Sequence, residues 1–289
     1  CVGATLSGST PGSTFTMPEG DVTCTYTNTR IQRGLTLKKT WVNGKPGDAV
    51  TATTTGLANN ATVSSTADAE GDNTSTGNAV SNVAGAVVTL PAEVFNTGSQ
   101  SNYTTTVACV GATLSGSTPG STFTMPDGDV TCTYTNTRRS ATLQFVNVWI
   151  NAVVGDSIND TANGIVNSAG VALGSTADAA NETDLGPVVT VYAGEVGALL
   201  QGAVTGSGST YLQSFSCSGN ATPLVASSLS VSTADIAIVC TFVNERLIPA
   251  PPPPQQASAI PVSSPEGLAL MAALLALLGA AATRRRGRN

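Results

Sequence analysis

Apolar and polar residues alternate one for one in short bursts along this chain. Leu35-Thr36-Leu37-Lys38-Lys39-Thr40-Trp41-Val42 places Leu35, Leu37, Lys39 and Trp41 on one side of an extended strand. Similar runs at 49–55, 61–66, 86–90, 103–110, 121–125 and 130–137 predict, with 35–42, about seven strands within residues 33–138. Gly44-Lys45-Pro46-Gly47 reads as a turn between two of them. No stretch before residue 267 carries a helical period. Many short strands separated by turn signals predict an all-β chain of β-sandwich type.

The pattern repeats. Cys1, Cys109 and Cys217 lie 108 residues apart, as do Cys24, Cys132 and Cys240, and the gap within each pair is 23. Residues 1–30 and 109–138 differ at one position, Glu19 against Asp127. Such a period means tandem modules that each fold as a unit. The expected division is a truncated repeat at 1–32, repeats at 33–138 and 139–247, a proline-rich linker at 248–260 and a terminal signal at 261–289. The chain opens at Cys1, in mid-module and without Met, so further repeats and an export signal are expected upstream.

The alternation ends where the tail begins. Pro249 and Pro251 to Pro254 favour an extended polyproline II spacer. Gly267 to Thr283 is apolar throughout. As a helix these residues span roughly 25 Å, the short end of a membrane crossing. Arg284, Arg285, Arg286 and Arg288 follow, which would hold that end in the cytoplasm and place the modules outside.

Composition removes several function classes. Histidine is absent, so His-based triads and metal sites are excluded. The net charge is −6, and without the four terminal arginines the 12 basic residues fall to 8 against 18 acidic ones. Such a surface repels phosphate backbones, which argues against nucleic-acid binding. The six cysteines show no CxxC spacing and come as equally spaced pairs, a pattern of an oxidising compartment.

Two resemblances add to this. Ile-Pro-Val-Ser-Ser-Pro-Glu-Gly at 260–267, the apolar run and the arginine cluster resemble the C-terminal sorting signals of exosortase-processed proteins of Gram-negative bacteria. Ile260, Pro261, Ser264 and Gly267 match the subtype that begins Ile-Pro-Thr-Leu, while Val262, Ser263 and Glu266 depart from it; Ser-Pro-Glu-Gly is similar to the Pro-Glu-Pro subtype. The resemblance implies an exosortase-like processing enzyme as a partner, with a permanent single-span anchor as the alternative. Residues 33–138 and 139–247 resemble the prealbumin-like (Cna B-type) modules of bacterial surface proteins. The likeness rests on the opening Leu-Thr-Leu-Lys-Lys-Thr strand, Tyr103 before Cys109, and the closing Cys-Thr-Tyr-Thr-Asn strand. Relatives of that kind are stalks, adhesins and pilin-like subunits.

In the implied layout Cys109 lies on the penultimate long strand and Cys132 on the last. With the repeated gap, this predicts Cys1–Cys24, Cys109–Cys132 and Cys217–Cys240 bridges, or the last two alone if the truncated copy is unfolded, each stabilising its module by roughly 3 kcal/mol. Some such modules carry a Lys–Asn isopeptide bond assisted by a buried acid. By strand parity the candidates are Lys39, Glu93 and Asn136; the next module has Asn147, Gln201 and Asn244 at those places. The plainer expectation is that the Lys39 ammonium snorkels to the rim and no bond forms. The loop 68–73 is acidic and expected to be solvated, with calcium as a lesser alternative. No cofactor is expected.

The expectation for function is a non-enzymatic, exported cell-surface or extracellular-matrix protein whose modules act as a structural stalk projecting from an envelope anchor. An adhesin is the second reading, with an extracellular polysaccharide or other surface ligand as its partner. An enzyme with passenger modules is the third.

Overall fold

The computed structural model describes residues 1–68, 71–167, 169–249 and 272–273. Residues 1–246 form one compact unit. Within it, the described residues of 32–246 are strands and turns, with one short 3-10 turn at Gln100–Asn102.

The first ten strands lie within 32–138. They are β1 (Gln32–Val42), β2 (Ala49–Thr53), β3 (Thr62–Thr66), β4 (Thr74–Thr76), β5 (Val80–Val83), β6 (Val87–Thr89), β7 (Val94–Thr97), β8 (Tyr103–Val110), β9 (Thr122–Thr124) and β10 (Val130–Arg138). One sheet has the order β4-β1-β10-β8, and β5 continues the β4 edge along β1. Facing it are β3-β2-β7 and the β6-β9 pair. The core between the layers holds Leu35 and Leu37 of β1, Tyr134 of β10, Ala52 of β2 and Phe123 of β9. Alternation is strict on β1 and β10, because every second side chain must enter this core.

Residues 140–246 repeat the plan with eight strands: β11 (Ser140–Ile150), β12 (Ser157–Asn163), β13 (Val171–Thr176), β14 (Glu182–Tyr192), β15 (Val196–Leu200), β16 (Tyr211–Ser218), β17 (Ser228–Ser230) and β18 (Ala237–Arg246). The two sheets are β14-β11-β18-β16 and β13-β12-β15-β17, packed around Phe145, Phe242, Leu199 and Leu229. In each module the first and last strands are parallel neighbours, β1 with β10 and β11 with β18.

The seven expected strands of 33–138 are present: β2, β3, β6 and β9 are shorter than expected, β8 has the expected bounds, and β1 and β10 run longer. Three more were not expected: β4, β5 and β7. Thr74-Ser75-Thr76 has no apolar residue to carry a period; it pairs at the edge of β1 through backbone bonds and a Thr40–Thr74 hydroxyl contact. β5 and β7 are four residues each, too short to show alternation.

A second, smaller cluster caps one pole of each module. Trp41 packs edge-on against Tyr103, and its indole N–H donates to Ser65 Oγ at 3.0 Å. Tyr103 donates to Asp48 Oδ2 at 2.7 Å and accepts from the Lys45 N–H at 2.9 Å. Trp149, Ser175, Tyr211, Asp156 and the Val153 N–H reproduce every one of these contacts. Gly98 and Gly206 sit where a Cβ would strike the Asp48 and Asp156 carboxylates, and both have positive φ. Burial raises the Tyr103 and Tyr211 hydroxyl pKa values, and the neighbouring carboxylates add to the shift.

Residues 1–30 carry the Cys1–Cys24 disulfide and a Val2–Thr23 bridge. Tyr26 is 81% exposed, whereas its counterpart Tyr134 is fully buried. The difference follows from neighbours. β10 lies between β1 and β8, and among the described residues no strand flanks 24–30.

Candidate functional site

Three features of the two modules bear on function: the disulfides, a polar centre in each core, and the joint between modules. Cys109 and Cys132 stand directly opposite in the β8–β10 ladder, and Cys217 and Cys240 in the β16–β18 ladder. All six cysteines are bonded as the repeated gap predicts, with Cα separations of 4.0 to 4.1 Å. Cys132 and Cys240 are fully buried, so each bridge is part of its core.

The centre of the first module brings together Lys39, Glu93 and Asn136. Lys39 is 0% exposed. Its ammonium therefore does not snorkel, contrary to the plainer expectation, because Lys39 sits at an inward position of a central strand and its side chain enters the space between the layers. Nζ lies 3.1 Å from Glu93 Oε1 and donates to Oε2 at 3.3 Å. It also sits 4.6 Å from the centroid of the Trp41 ring. Burial lowers the Lys39 pKa to about 8, and Glu93 only partly opposes that shift. Asn136 faces Trp41 across the parallel β1–β10 ladder, one inward position beyond the Lys39–Tyr134 pair. Its carbonyl accepts from Thr105 Oγ1 at 2.7 Å, and its Nδ2 is buried with no hydrogen-bond partner. Parity thus placed Lys39 and Asn136 on the inner face; Glu93 lies just before β7, outside any strand, and reaches the centre from there.

The second module fills the same places with neutral amides. Asn244 Nδ2 donates to Asn147 Oδ1 at 3.1 Å, and Gln201 Nε2 donates to Asn244 Oδ1 at 3.2 Å. Asn147 Nδ2 donates to Asp160 Oδ2 at 2.6 Å. Asp160 replaces Ala52 of the first module and is fully buried; burial raises its pKa, against the hydrogen bonds from Asn147 and Gly202. Every amide nitrogen of this network has a partner, whereas the one on Asn136 has none.

The joint was not foreseen. Arg139 alone separates β10 from β11. Arg138 belongs to the first module, but its side chain is buried in the second: Nε donates to the Ala193 carbonyl at 2.8 Å and Nη1 to Asn167 Oδ1 at 3.3 Å. The guanidinium lies 4.0 Å from Glu195 Oε1 and 5.6 Å from the Tyr192 ring centroid. Glu195 accepts the N–H groups of Val166, Asn167 and Tyr192. Lys45 Nζ donates to the Gly194 carbonyl at 3.2 Å, Tyr192 OH to Asn43 Oδ1 at 3.2 Å, and the Arg139 N–H to the Asn102 carbonyl at 2.9 Å. Gly194 has φ of +80°, and a Cβ there would meet Asn102 Nδ2. The backbone half of this joint recurs upstream, where the Ala84 N–H donates to the Ile31 carbonyl as Ala193 does to that of Arg139. The available signal was Arg30, Arg138 and Arg246, one at each module end.

The sorting residues Ile260, Pro261, Ser264, Gly267, Arg284, Arg285 and Arg286, and all but two residues of the apolar run, lie outside the described residues. Among the described residues no helix is long and apolar enough to cross a membrane, and no group of three acidic, Cys or His residues could hold a metal ion. Asp72 of the acidic loop accepts the Asn43 N–H.

No family model matches this chain, and no curated protein matches it. Among solved structures it is similar to a major pilin protein of Streptococcus pyogenes, at 13% identity and a TM-score of 0.37, over 75% of this chain and 97% of that one. It is also similar to an adhesin of Mobiluncus mulieris that contains disulfide, isopeptide and ester cross-links, at 10% identity and a TM-score of 0.29, over 71% and 88%. The shaft pilin SpaA of Lactobacillus rhamnosus GG aligns at 10% identity and a TM-score of 0.26, over 75% and 99%. At these scores the likeness adds nothing to the fold described above.

Proposed function

We propose that this chain is a non-enzymatic, exported surface protein whose modules form a stalk held to the envelope by its C-terminal tail. The observation that carries the reading is the joint. A single residue between modules, a buried Arg138 and Gly194, held at positive φ against Asn102, make two modules behave as one rod; a flexible string would need none of these. Three disulfides fit assembly in an oxidising compartment outside the cytoplasm. The tail, from Ile260 to the arginine cluster, supplies a membrane anchor that an exosortase-like enzyme cleaves in a Gram-negative envelope. The centre at Lys39 adds a covalent staple. Neutral Lys39 attacks Cγ of Asn136, the Cγ–Nδ2 bond breaks, and ammonia leaves, with Glu93 carrying the proton from Nζ to the departing nitrogen.

Antibody labelling of intact cells tests the reading. An epitope placed after Gly219 should be accessible on intact cells and released into the medium when residues 261–289 are deleted. An epitope reached only after lysis would overturn it.

A further inference from the structure

The two modules differ most where they face outward. In the first, the outer side of the β4-β1-β10-β8 sheet presents Thr36, Lys38 and Thr40 from β1 and threonine at every outward position of β10. In the second, the corresponding positions are Gln144, Val146 and Val148 on β11 and Val239, Thr241 and Val243 on β18. The register makes the exchange concrete: Lys38 pairs with Thr76, whereas Val146 pairs with Leu185. Leu185 and Val188, on the edge strand β14, are 66% and 61% exposed and extend the apolar area to that side; on the other edge β16 presents Leu212, opposite Glu245, and then serines. The inner faces differ at other positions, with Asn147 for Lys39 and Asp160 for Ala52, and those side chains enter the core, so core packing does not account for the outward exchange. A soluble surface with this many contiguous aliphatic residues marks an interaction site.

We propose that this face joins two copies of the chain, sheet against sheet. Its size is sufficient. The 11 residues of β11 at ~3.4 Å each, across four strands ~4.8 Å apart, give a face of about 700 Å². Two faces together remove about 1,400 Å² from water, within the ~1,200–2,000 Å² of stable interfaces. Its chemistry favours self-pairing. An isologous contact needs a patch that complements itself, and a mostly aliphatic centre, broken by Gln144 and Thr241 but by no charge and rimmed by the serines of β16, does so. The one charge among the outward residues of β11 and β18 is Glu245, at the end of β18, where it reaches water. A lipid surface is the poorer occupant, since no lysine follows Lys45 and the one charge among the outward residues of β11 and β18, Glu245, is acidic. This proposal does not depend on the stalk reading.

Sedimentation velocity of the full chain in a mild non-ionic detergent tests it, from about 1 to about 100 µM. Wild type should pass from monomer to dimer in that range. Val146→Lys, which copies Lys38 of the other module, should weaken pairing at least about tenfold. Thr40→Lys on the first module should leave it unchanged. Should Val146→Lys lose its native circular dichroism, Val148→Thr carries the same test, because threonine already occupies that place in the first module. The proposal fails if wild type stays monomeric throughout, if the dimer persists equally in the Val146 or Val148 variant, or if Thr40→Lys disrupts it as strongly.

Discussion

Lys39 Nζ lies 3.1 Å from Glu93 Oε1, and neither side chain reaches water. A buried pair of this kind is a poor source of stability, because desolvation offsets most of its attraction. It is a good source of a neutral amine, because burial depresses the lysine. The orphaned Nδ2 of Asn136 is the group that cross-linking would expel, so removing it would also clear an unsatisfied donor from the core.

Intact mass is expected to fall by about 17 Da, the ammonia lost per bond, beyond the loss from the three disulfides. The deficit should map to residues 33–138 and vanish in Lys39→Ala and in Glu93→Gln. A deficit in 139–246 would contradict the neutral network there, which offers no amine.

Where the bond cannot form, Lys39 should show its depressed pKa. In Asn136→Ala the group titrates at about 8 in the folded chain against 10.5 in the unfolded one. Between those values the unfolded state binds more protons, so stability rises with pH across the window and is lost as pH falls through it. Urea midpoints of Asn136→Ala, referenced to Lys39→Met/Asn136→Ala, should therefore climb from pH 8 to 10. A decline would mean that Glu93 holds the ammonium more firmly than burial opposes it.

Replacing Cys217 and Cys240 by serine should destabilise the second module by roughly 3 kcal/mol, the entropy of closing a 23-residue loop. Non-reducing peptide maps should link Cys109 with Cys132 and Cys217 with Cys240. Bridges between modules would contradict the ladder register.

Glu195→Ala strips the partner from three backbone N–H groups and leaves Arg138 buried opposite no charge. A loss of about 2–4 kcal/mol is expected. Scattering should show a wider spread of interdomain distances, while the Lys39 mass deficit stays intact. If the joint stays as stiff as in wild type, its rigidity comes from the contacts that do not involve Glu195.

The fold was legible wherever side chains alternate over a core. β1, β8 and β10 announce themselves through Leu35, Leu37, Tyr103, Val107, Cys132 and Tyr134. Thr74–Thr76 is silent, because an edge strand of hydroxyl residues differs from a loop only by its backbone pairing. Lys39 and Asn136 were legible by parity, since each sits an even number of residues from a core position on its own strand; Glu93, just before β7, lies outside any strand and parity says nothing of it. What parity cannot give is depth: the same reading allowed Lys39 to reach the rim. The joint was illegible for another reason. Arg138 meets Ala193 and Glu195, more than fifty residues away, through a carbonyl that no sequence pattern marks.

The parallel pairing of β1 with β10 decides how a module would answer a pull. The chain enters at the start of β1 and leaves at the end of β10, so tension applied at the two ends drags the strands past one another lengthwise. Eight paired positions, Leu35–Val130 to Val42–Thr137, then resist together, where a hairpin pulled from its open end would give way one rung at a time. A covalent link from Lys39 to Asn136 would join these same two strands. Force would cross from β1 to β10 through that bond, and residues 40–135, disulfide included, would hang outside its route. The second module, with amides in that place, would have to rely on the shear strength of its ladder alone and should be the first to extend.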